Sequence, residues 1–362
     1  MKNTFGTNVA VTVFGESHGK AIGAVIDGLP AGIAVDESFI SHQLDLRRPF
    51  GKISTPRQEK DNFEIVSGVF NNKTTGTPIC IVIPNENTRS KDYNYGIARP
   101  GHADYTAFSK YKGSEDYRGG GHFSGRITAG LVSVGAIAID TLKKKGITLG
   151  THIKKCAGVE DSDFTDYKSE IAELNKKIFA TLSDTKGEEM IKNIEKAAAD
   201  NNSVGGILET VVTGLPVGIG EPWFDSVESM LSHVLFAVPA VKGVEFGCGF
   251  MSSDMLGSEM NDEFYFDNGT VKTKTNNNGG INGGITNGMP VIFRCAIKPT
   301  PSISKEQDTI NFITGENVKN ATHGRHDPCI VHRARVVVDS VTAIVLCDLL
   351  SQKFGADWLG EI

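Results

Sequence analysis

The sequence predicts an α+β protein in which strongly apolar helices are sandwiched between two sheets, built from two similar halves. Three observations lead there. Val25-Ile26-Asp27-Gly28-Leu29-Pro30-Ala31-Gly32-Ile33 recurs as Val211-Val212-Thr213-Gly214-Leu215-Pro216-Val217-Gly218-Ile219, and the segments after each copy repeat in the same order. Turns and long excursions separate the strand patterns, without the regular β–α alternation of a doubly wound sheet. The helix patterns that close each half are apolar on more than one face, as in Leu131, Val132, Val134, Ala136, Ile137, Ile139 and Leu142. Such helices are buried on several sides.

Each element follows from local chemistry. Val9–Phe14 is a strand pattern, and each apolar run that follows ends in a G-L-P-x-G-I turn. An acid-led helical pattern comes next, near Asp36–Leu46 in the first half and Asp225–Phe236 in the second. Thr75-Gly76-Thr77-Pro78 then leads into the strand Ile79–Ile83, and Asn287-Gly288-Met289-Pro290 leads into Val291–Ile297. A glycine- or arginine-rich histidine segment and a closing helix complete each half, the helices being Ser124–Lys145 and Val336–Lys353. We read residues 1–362 as a single domain with halves at about 1–158 and 203–362. Residues 159–202 are a charged helical insertion, patterned by Ile171, Leu174, Ile178 and Leu182 and by Met190, Ile191 and Ile194. A second, hydrophilic insertion, Asn261–Asn277, carries the hairpin signal Asp267-Asn268-Gly269.

Composition narrows the function. A net charge of −6 argues against a general nucleic-acid binder. Basic residues nonetheless cluster in one stretch: Arg47, Arg48, Lys52, Arg57, Arg89, Arg99, Arg118 and Arg126. That distribution suits a small anionic substrate. None of the six cysteines forms a C-x-x-C pair, and several sit in apolar runs, so they read as buried thiols in a reducing compartment. No apolar h-region opens the chain, and Leu131–Ile139 and Val336–Leu350 are too short or too acidic to span a bilayer. The expectation is a soluble cytoplasmic protein with no membrane partner.

Three segments place a histidine among turn residues: Phe14-Gly15-Glu16-Ser17-His18-Gly19, Arg99-Pro100-Gly101-His102-Ala103-Asp104-Tyr105 and Gly324-Arg325-His326-Asp327-Pro328. Imidazole exchanges protons near neutrality, and arginine grips phosphate or carboxylate in a fork. Proton chemistry on an anionic substrate follows, although a turn histidine can also serve as a structural hydrogen-bonder and Asp104 suits a helix cap. Arg118-Gly119-Gly120-Gly121-His122-Phe123-Ser124-Gly125-Arg126 opens a helix and reads as an anion or cofactor loop. Asn278-Gly279-Gly280-Ile281-Asn282-Gly283-Gly284-Ile285 is a second such loop. Arg47 and Arg48, with Lys52 and Arg57 following, read as an anion clamp or as compensation of the helix dipole. The P-loop G-x-x-x-x-G-K-S/T and the Rossmann G-x-G-x-x-G are absent. His323 and His326 lack further ligands at metal-binding spacing, so no metal is expected.

Taken together, F-G-E-S-H-G, R-P-G-H-A-D-Y-T, D-Y-R-G-G-G and G-R-H-D-P-C, in this order and spacing, closely resemble chorismate synthases. The resemblance spans the chain and includes Leu44–Pro49, Val241–Gly247, N-G-G-I-x-G-G-I and Lys298–Thr300. It implies a β-α-β sandwich with apolar helices between two antiparallel sheets, assembled as a homotetramer. It implies a carbon–oxygen lyase: anti-1,4-elimination of phosphate from 5-enolpyruvylshikimate 3-phosphate, giving chorismate in the shikimate pathway to aromatic amino acids. The family requires reduced FMN although there is no net redox change, and a bifunctional form that reduces FMN with NADPH is the alternative.

The resemblance also assigns roles. His18 matches the histidine that protonates the departing phosphate, His102 the one that protonates the reduced flavin. Asp327 would assist proton handling near flavin N5. Arg47, Arg48, Lys52, Arg126 and Arg325 would bind the substrate's phosphate and carboxylates. Flavin contacts would come from His122, Phe123, Ser124, Ala240 and Gly283, and from Lys298, Pro299, Thr300, Pro301, Ser302 and Arg325. The chain departs from the family form R-A/S-S-A-R-E-T, with His122 for the usual arginine and Ile127 for the glutamate. Lys52 stands where an arginine is usual, and Pro239 where an asparagine is common.

Overall fold

The computed structural model describes residues 2–55, 60–86, 95–322 and 326–360. Five strands make the first sheet: β1 (Thr4–Phe5), β2 (Ala10–Gly15), β3 (Ala21–Asp27), β4 (Glu64–Ser67) and β5 (Ile79–Pro84). They lie in the order β1-β2-β3-β5-β4, antiparallel throughout. The second sheet contains β6 (Thr148–Cys156), β7 (Val159–Glu160), β8 (Gly206–Thr213), β9 (Val241–Phe246) and β10 (Val291–Ile297). Its order is β9-β10-β8-β6-β7, again antiparallel. The path β2-β3-β5-β4 is thus traced a second time as β6-β8-β10-β9.

Helices fill the space between the sheets: α1 (Glu37–Leu46) and α3 (Thr128–Lys144) beside the first, α6 (Val227–Ala237) and α7 (Val331–Phe354) beside the second. Asp36 caps α1 by accepting the N–H groups of Ser38 and Phe39. Contact between layers is close where side chains are small. A Cβ on Gly130 of α3 would lie 2.7 Å from the backbone of Gly23 in β3, and one on Gly135 would lie 2.4 Å from Ser340 of α7. The segment Gly125–Lys144 is long and apolar enough to cross a membrane, but 78% of its most apolar 18-residue stretch is buried inside the fold, as a core helix is.

The closing helices differ from the sequence expectation at their starts. A 3-10 turn, Gly125–Ile127, precedes α3, and α7 begins at Val331 rather than Val336. The polar residues that hide this start all have partners inside. His332 meets Ser54 at 2.8 Å, and Arg335 pairs with Asp339 at 3.1 Å. Every residue from Ala334 to Ser351 is buried, so its acids also need donors. Asp339 accepts the hydroxyl of Thr151 at 2.6 Å, and Asp348 accepts the N–H groups of Thr7, Asn8 and Val9. Those bonds tie α7 to β6 of the second sheet and to the segment leading into β2 of the first.

The repeated G-L-P-x-G-I turn is locked the same way twice. Thr74 donates its hydroxyl to the Pro30 carbonyl at 2.6 Å and accepts the Ile33 N–H at 2.9 Å. Thr286 does the same with Pro216 at 2.7 Å and Ile219 at 2.9 Å. Both threonines are buried, so valine leaves a donor and an acceptor unsatisfied. Thr74→Val and Thr286→Val are each expected to lose about 1–3 kcal/mol in denaturant unfolding; no loss at either position would remove the lock.

The insertion contains α4 (Tyr167–Leu174) and α5 (Asp184–Ala199). It is pinned to the second sheet through His152 of β6, whose ring lies buried between Asp161 (2.8 Å) and Glu209 (3.1 Å). Asp161 also accepts the N–H groups of Leu182 and Ser183. Burial opposes charge on the imidazole, but the two carboxylates outweigh it and raise the pKa. Burial likewise opposes charge on Asp161 and Glu209, and hydrogen bonds led by His152 lower both. A raised histidine contributes its stability below its unfolded value of 6.5 and loses it as pH rises through the folded value. The acids contribute above 3.8 and 4.5 and lose that contribution as pH falls through their depressed values. Melting temperature is therefore expected to be highest from pH 4.5 to 6.5 and to fall on the alkaline side. His152→Gln should flatten that decline; a wild-type melting temperature that climbs above neutrality would contradict it.

The hydrophilic insertion forms the expected hairpin, Phe264–Asp267 with Thr270–Thr273, turning through Asn268 and Gly269 at φ 50° and 82°. All six cysteines are free; Cys156, Cys295, Cys329 and Cys347 are buried, whereas Cys80 and Cys248 are partly exposed.

Candidate active site

The turn after β2 sets His18, 8% exposed, against the triple-glycine loop. Ser17 lies between them: its hydroxyl is 3.1 Å from His18 Nδ1 and 3.1–3.2 Å from the carbonyls of Gly119 and Arg118, and its N–H donates to the Gly121 carbonyl. Gly119, Gly120 and Gly121 all have positive φ, at 62°, 84° and 53°. Their lack of side chains is a second requirement. A Cβ on Gly119 would lie 2.1 Å from His18 Cε1, and one on Gly120 would lie 3.2 Å from His102 Cε1 and Nε2. One strip of bare backbone therefore touches both imidazoles.

The loop's ends are anchored. His122 donates Nδ1–H to the Gly15 carbonyl at 2.8 Å, so its position pins the loop to β2. Arg118 pairs with its neighbour Asp116 at 2.7 Å. Phe123 is exposed, its ring 6.1 Å from that of Tyr111. Ser124 caps the 3-10 turn by accepting the Arg126 N–H at 3.3 Å.

His102 precedes α2 (Asp104–Tyr111). Asp104 does not cap this helix, as its place in the sequence suggested. Ala103 holds the cap position without a side-chain bond, and the Asp104 carboxylate turns back to Arg99 and His102. Burial works against its charge, but hydrogen bonds from Arg99 and His102 keep its pKa well below the ordinary carboxylate range. Lys298 and the residues after it abut the same turn. Lys298 Nζ donates to the Gly101 carbonyl at 2.6 Å, and its N–H donates to the Ala240 carbonyl at 2.9 Å. A Cβ on Gly101 would lie 3.5 Å from Pro301, and Arg99 reaches the Ser302 hydroxyl at 3.4 Å. Thr300 accepts the Ser203 hydroxyl at 2.7 Å, and Pro299 packs on Gly205. On the His102 side of this turn a cleft is walled by Tyr95, Tyr117, Phe123 and Phe312, with Arg99 and His102 at its polar edge.

A second cleft is lined by Lys52, Ser54, Ser302, His326 and Asp327. Asp327 accepts the Thr55 N–H at 2.9 Å and pairs with Arg333 at 2.7 Å, and Arg333 also donates to the Arg47 carbonyl at 2.9 Å. Arg47 is buried, bonded to Thr128 and to the Gly125 carbonyl, and lies 3.6 Å from Asp61. Burial and then Arg333 push its pKa down to about 9, which leaves it cationic at neutral pH. Arg126 forms the other ion pair with Asp61 and donates to Asn85 at 3.0 Å. Asn85 in turn donates to the carbonyls of Glu16 and Gly19, on either side of His18. A continuous polar chain thus runs from the His18 turn to Asp327.

Some expected site residues stand apart. Arg48, just beyond α1, is half exposed and bound to Asp45 of that helix at 2.7 Å and to the Lys60 carbonyl. Gly283 sits in the hairpin that packs on Gly218 and Ile219, beyond the Thr213 end of β8, whereas Lys298 follows β10 at the Gly206 end. The length of β8, about 25 Å at ~3.3 Å per residue, separates them within one subunit. Arg325 lies outside the described residues. Among the described residues no group of three His, Cys, Asp or Glu side chains is placed to hold a metal.

Asp61, Asn85 and Arg333 escaped the sequence reading. The available signal was charge: a cluster of arginines destined for burial needs a carboxylate, and Asp61 lies in the loop that follows them. The assembled groups can hold an anion and move protons at two imidazole edges on one loop.

Known proteins resemble this chain over nearly its whole length. The family model for chorismate synthase matches residues 9–351. A chorismate synthase from Dehalococcoides mccartyi is 46% identical over 352 residues, covering 96% of each chain. One from Methanococcus vannielii is 47% identical, covering 97% of this chain and 96% of its own. A solved crystal structure of chorismate synthase superposes with a TM-score of 0.77 at 29% identity, covering 97% of this chain and 94% of that one.

Proposed function

The chain belongs to the chorismate synthase family, and from that premise we propose that it eliminates phosphate from 5-enolpyruvylshikimate 3-phosphate to give chorismate. The observation that carries the proposal is the glycine strip in contact with both His18 and His102. It allows two proton donors to serve one bound pair of substrate and cofactor. His18 would deliver its proton to the departing phosphate, with Ser17 fixing the ring. His102 would hold a proton at the edge of the aromatic-walled cleft. Arg47, Arg126 and Lys52 would attract the substrate's phosphate and carboxylates, and Asp327, braced by Arg333, would handle a proton in the adjoining cleft.

Reduced FMN fits the first cleft, whose aromatic walls and polar edge suit a flat heteroaromatic ring. When bound, it would supply the electron-rich partner that the elimination requires without net redox change. Phe123, which lines this cleft, would pack against it, and Ser124 and Lys298–Ser302 would hold it from the segments beside the cleft. His122 would contribute through the loop it anchors rather than through a bidentate grip on phosphate.

We further propose a cytoplasmic homotetramer. Exposed aromatic residues concentrate in the second half, with Trp223 at 83%, Phe224 at 88% and Phe266 at 80%. Trp223 also carries a positive φ of 73°, a strain that an interface would explain.

An anaerobic assay of phosphate release with chemically reduced FMN tests the activity. Release with pre-reduced FMN alone supports the lyase, and release with oxidised FMN plus NADPH would add flavin reduction. No release with either would overturn the proposal.

A further inference from the structure

We propose that Asp104 is the positioning residue for His102: its carboxylate, clamped by Arg99, receives the imidazole Nδ1–H and turns Nε2 toward the glycine loop. This rests on the reading of His102 as a proton-transfer group. The clamp is three-fold. Arg99 donates Nε–H to Oδ2 at 2.8 Å, a terminal N–H to Oδ1 at 2.7 Å and its backbone N–H to Oδ2 at 2.9 Å. Both carboxylate oxygens are thereby fixed before the imidazole is considered.

His102 Nδ1 lies 2.8 Å from Asp104 Oδ1 and 3.1 Å from the Arg99 terminal nitrogen. The two contacts demand opposite tautomers. A bare nitrogen lone pair 2.8 Å from a carboxylate oxygen is repulsive, whereas an Nδ1–H there makes a charge-assisted bond. The shorter contact therefore decides for Nδ1–H. All three side chains are largely buried, at 11%, 17% and 14% exposure for Arg99, His102 and Asp104, so water competes weakly. On the opposite edge, Nε2 and Cε1 face Gly120, where a Cβ would come within 3.2 Å.

The helix places the carboxylate. Asp104 is the first residue of α2, one past the cap position held by Ala103, and its side chain turns back from the helix toward Arg99 and His102.

The test uses the full-length enzyme labelled with ¹⁵N-histidine. In wild type, the His102 ¹⁵N shifts are expected to report a protonated Nδ1. In Asp104→Asn, the signal should shift toward mixed tautomers, and kcat for phosphate release should fall about 10–100-fold with KM little changed. A wild-type ring protonated only at Nε2, or an Asp104→Asn enzyme with undiminished kcat, would overturn the inference. The wild-type spectrum decides even if the variant folds poorly. Absence of wild-type phosphate release alongside a protonated Nδ1 would instead count against the proposed reaction.

Discussion

His18→Ala and His102→Ala are each expected to slow phosphate release about 10²–10⁴-fold while leaving substrate and flavin affinity within a few-fold of wild type. The magnitude follows from what a positioned acid or base contributes. The selectivity follows from the surroundings. His18 touches Ser17 and the glycine backbone, and His102 touches Arg99, Asp104 and the same backbone. The cationic groups that would bind the substrate, Arg47 and Arg126, are held by other partners: Thr128, Asn85 and Asp61. Removing an imidazole should therefore leave the anion pocket standing. Rapid-quench phosphate release with reduced FMN, beside flavin binding followed by fluorescence, separates the two effects. Wild-type turnover in either variant would take that histidine out of the mechanism, and loss of binding alone would make it a binding residue.

Asp61→Ala is expected to destabilise the protein by about 3–5 kcal/mol, the cost of breaking a buried ion pair from one side. The carboxylate is 3% exposed and lies between Arg47 and Arg126, at 5% and 7%. Without it, two buried guanidinium groups face each other. Millimolar phosphate should recover part of the loss by occupying the space between them, which neutral Asp61→Asn allows to be checked with little change in shape. Denaturant unfolding with and without phosphate makes the measurement. An Asp61→Ala midpoint equal to wild type would show that the two arginines do not depend on this acid.

Much of the fold is written in short-range chemistry. The repeated G-L-P-x-G-I turn, the apolar strand after each Pro78 or Pro290, and the Asn268-Gly269 hairpin are local signals, and each marks a feature of the structure. The histidines were legible because each stands among glycines. The braces around them were not. Arg126 and Asp61 are 65 residues apart, and Thr55 and Asp327 are 272 apart. Nothing in either neighbourhood names the other. Asp104 misled for the opposite reason: its local context fits a helix cap, and only tertiary structure shows the carboxylate turned toward Arg99. The early start of α7 was hidden because His332 and Arg335 look like surface residues until Ser54 and Asp339 are seen beside them. Thr74 and Thr286 show the same effect, since a threonine before a turn gives no sign that its hydroxyl bridges back to a proline carbonyl.

The most direct test of the central claim is an anaerobic single turnover in which phosphate release and flavin absorbance are recorded together. One phosphate per active site, with the flavin spectrum back to its reduced form at the end, is the predicted result. Phosphate release that proceeds equally without flavin, or that leaves one flavin oxidised for each product formed, would contradict it.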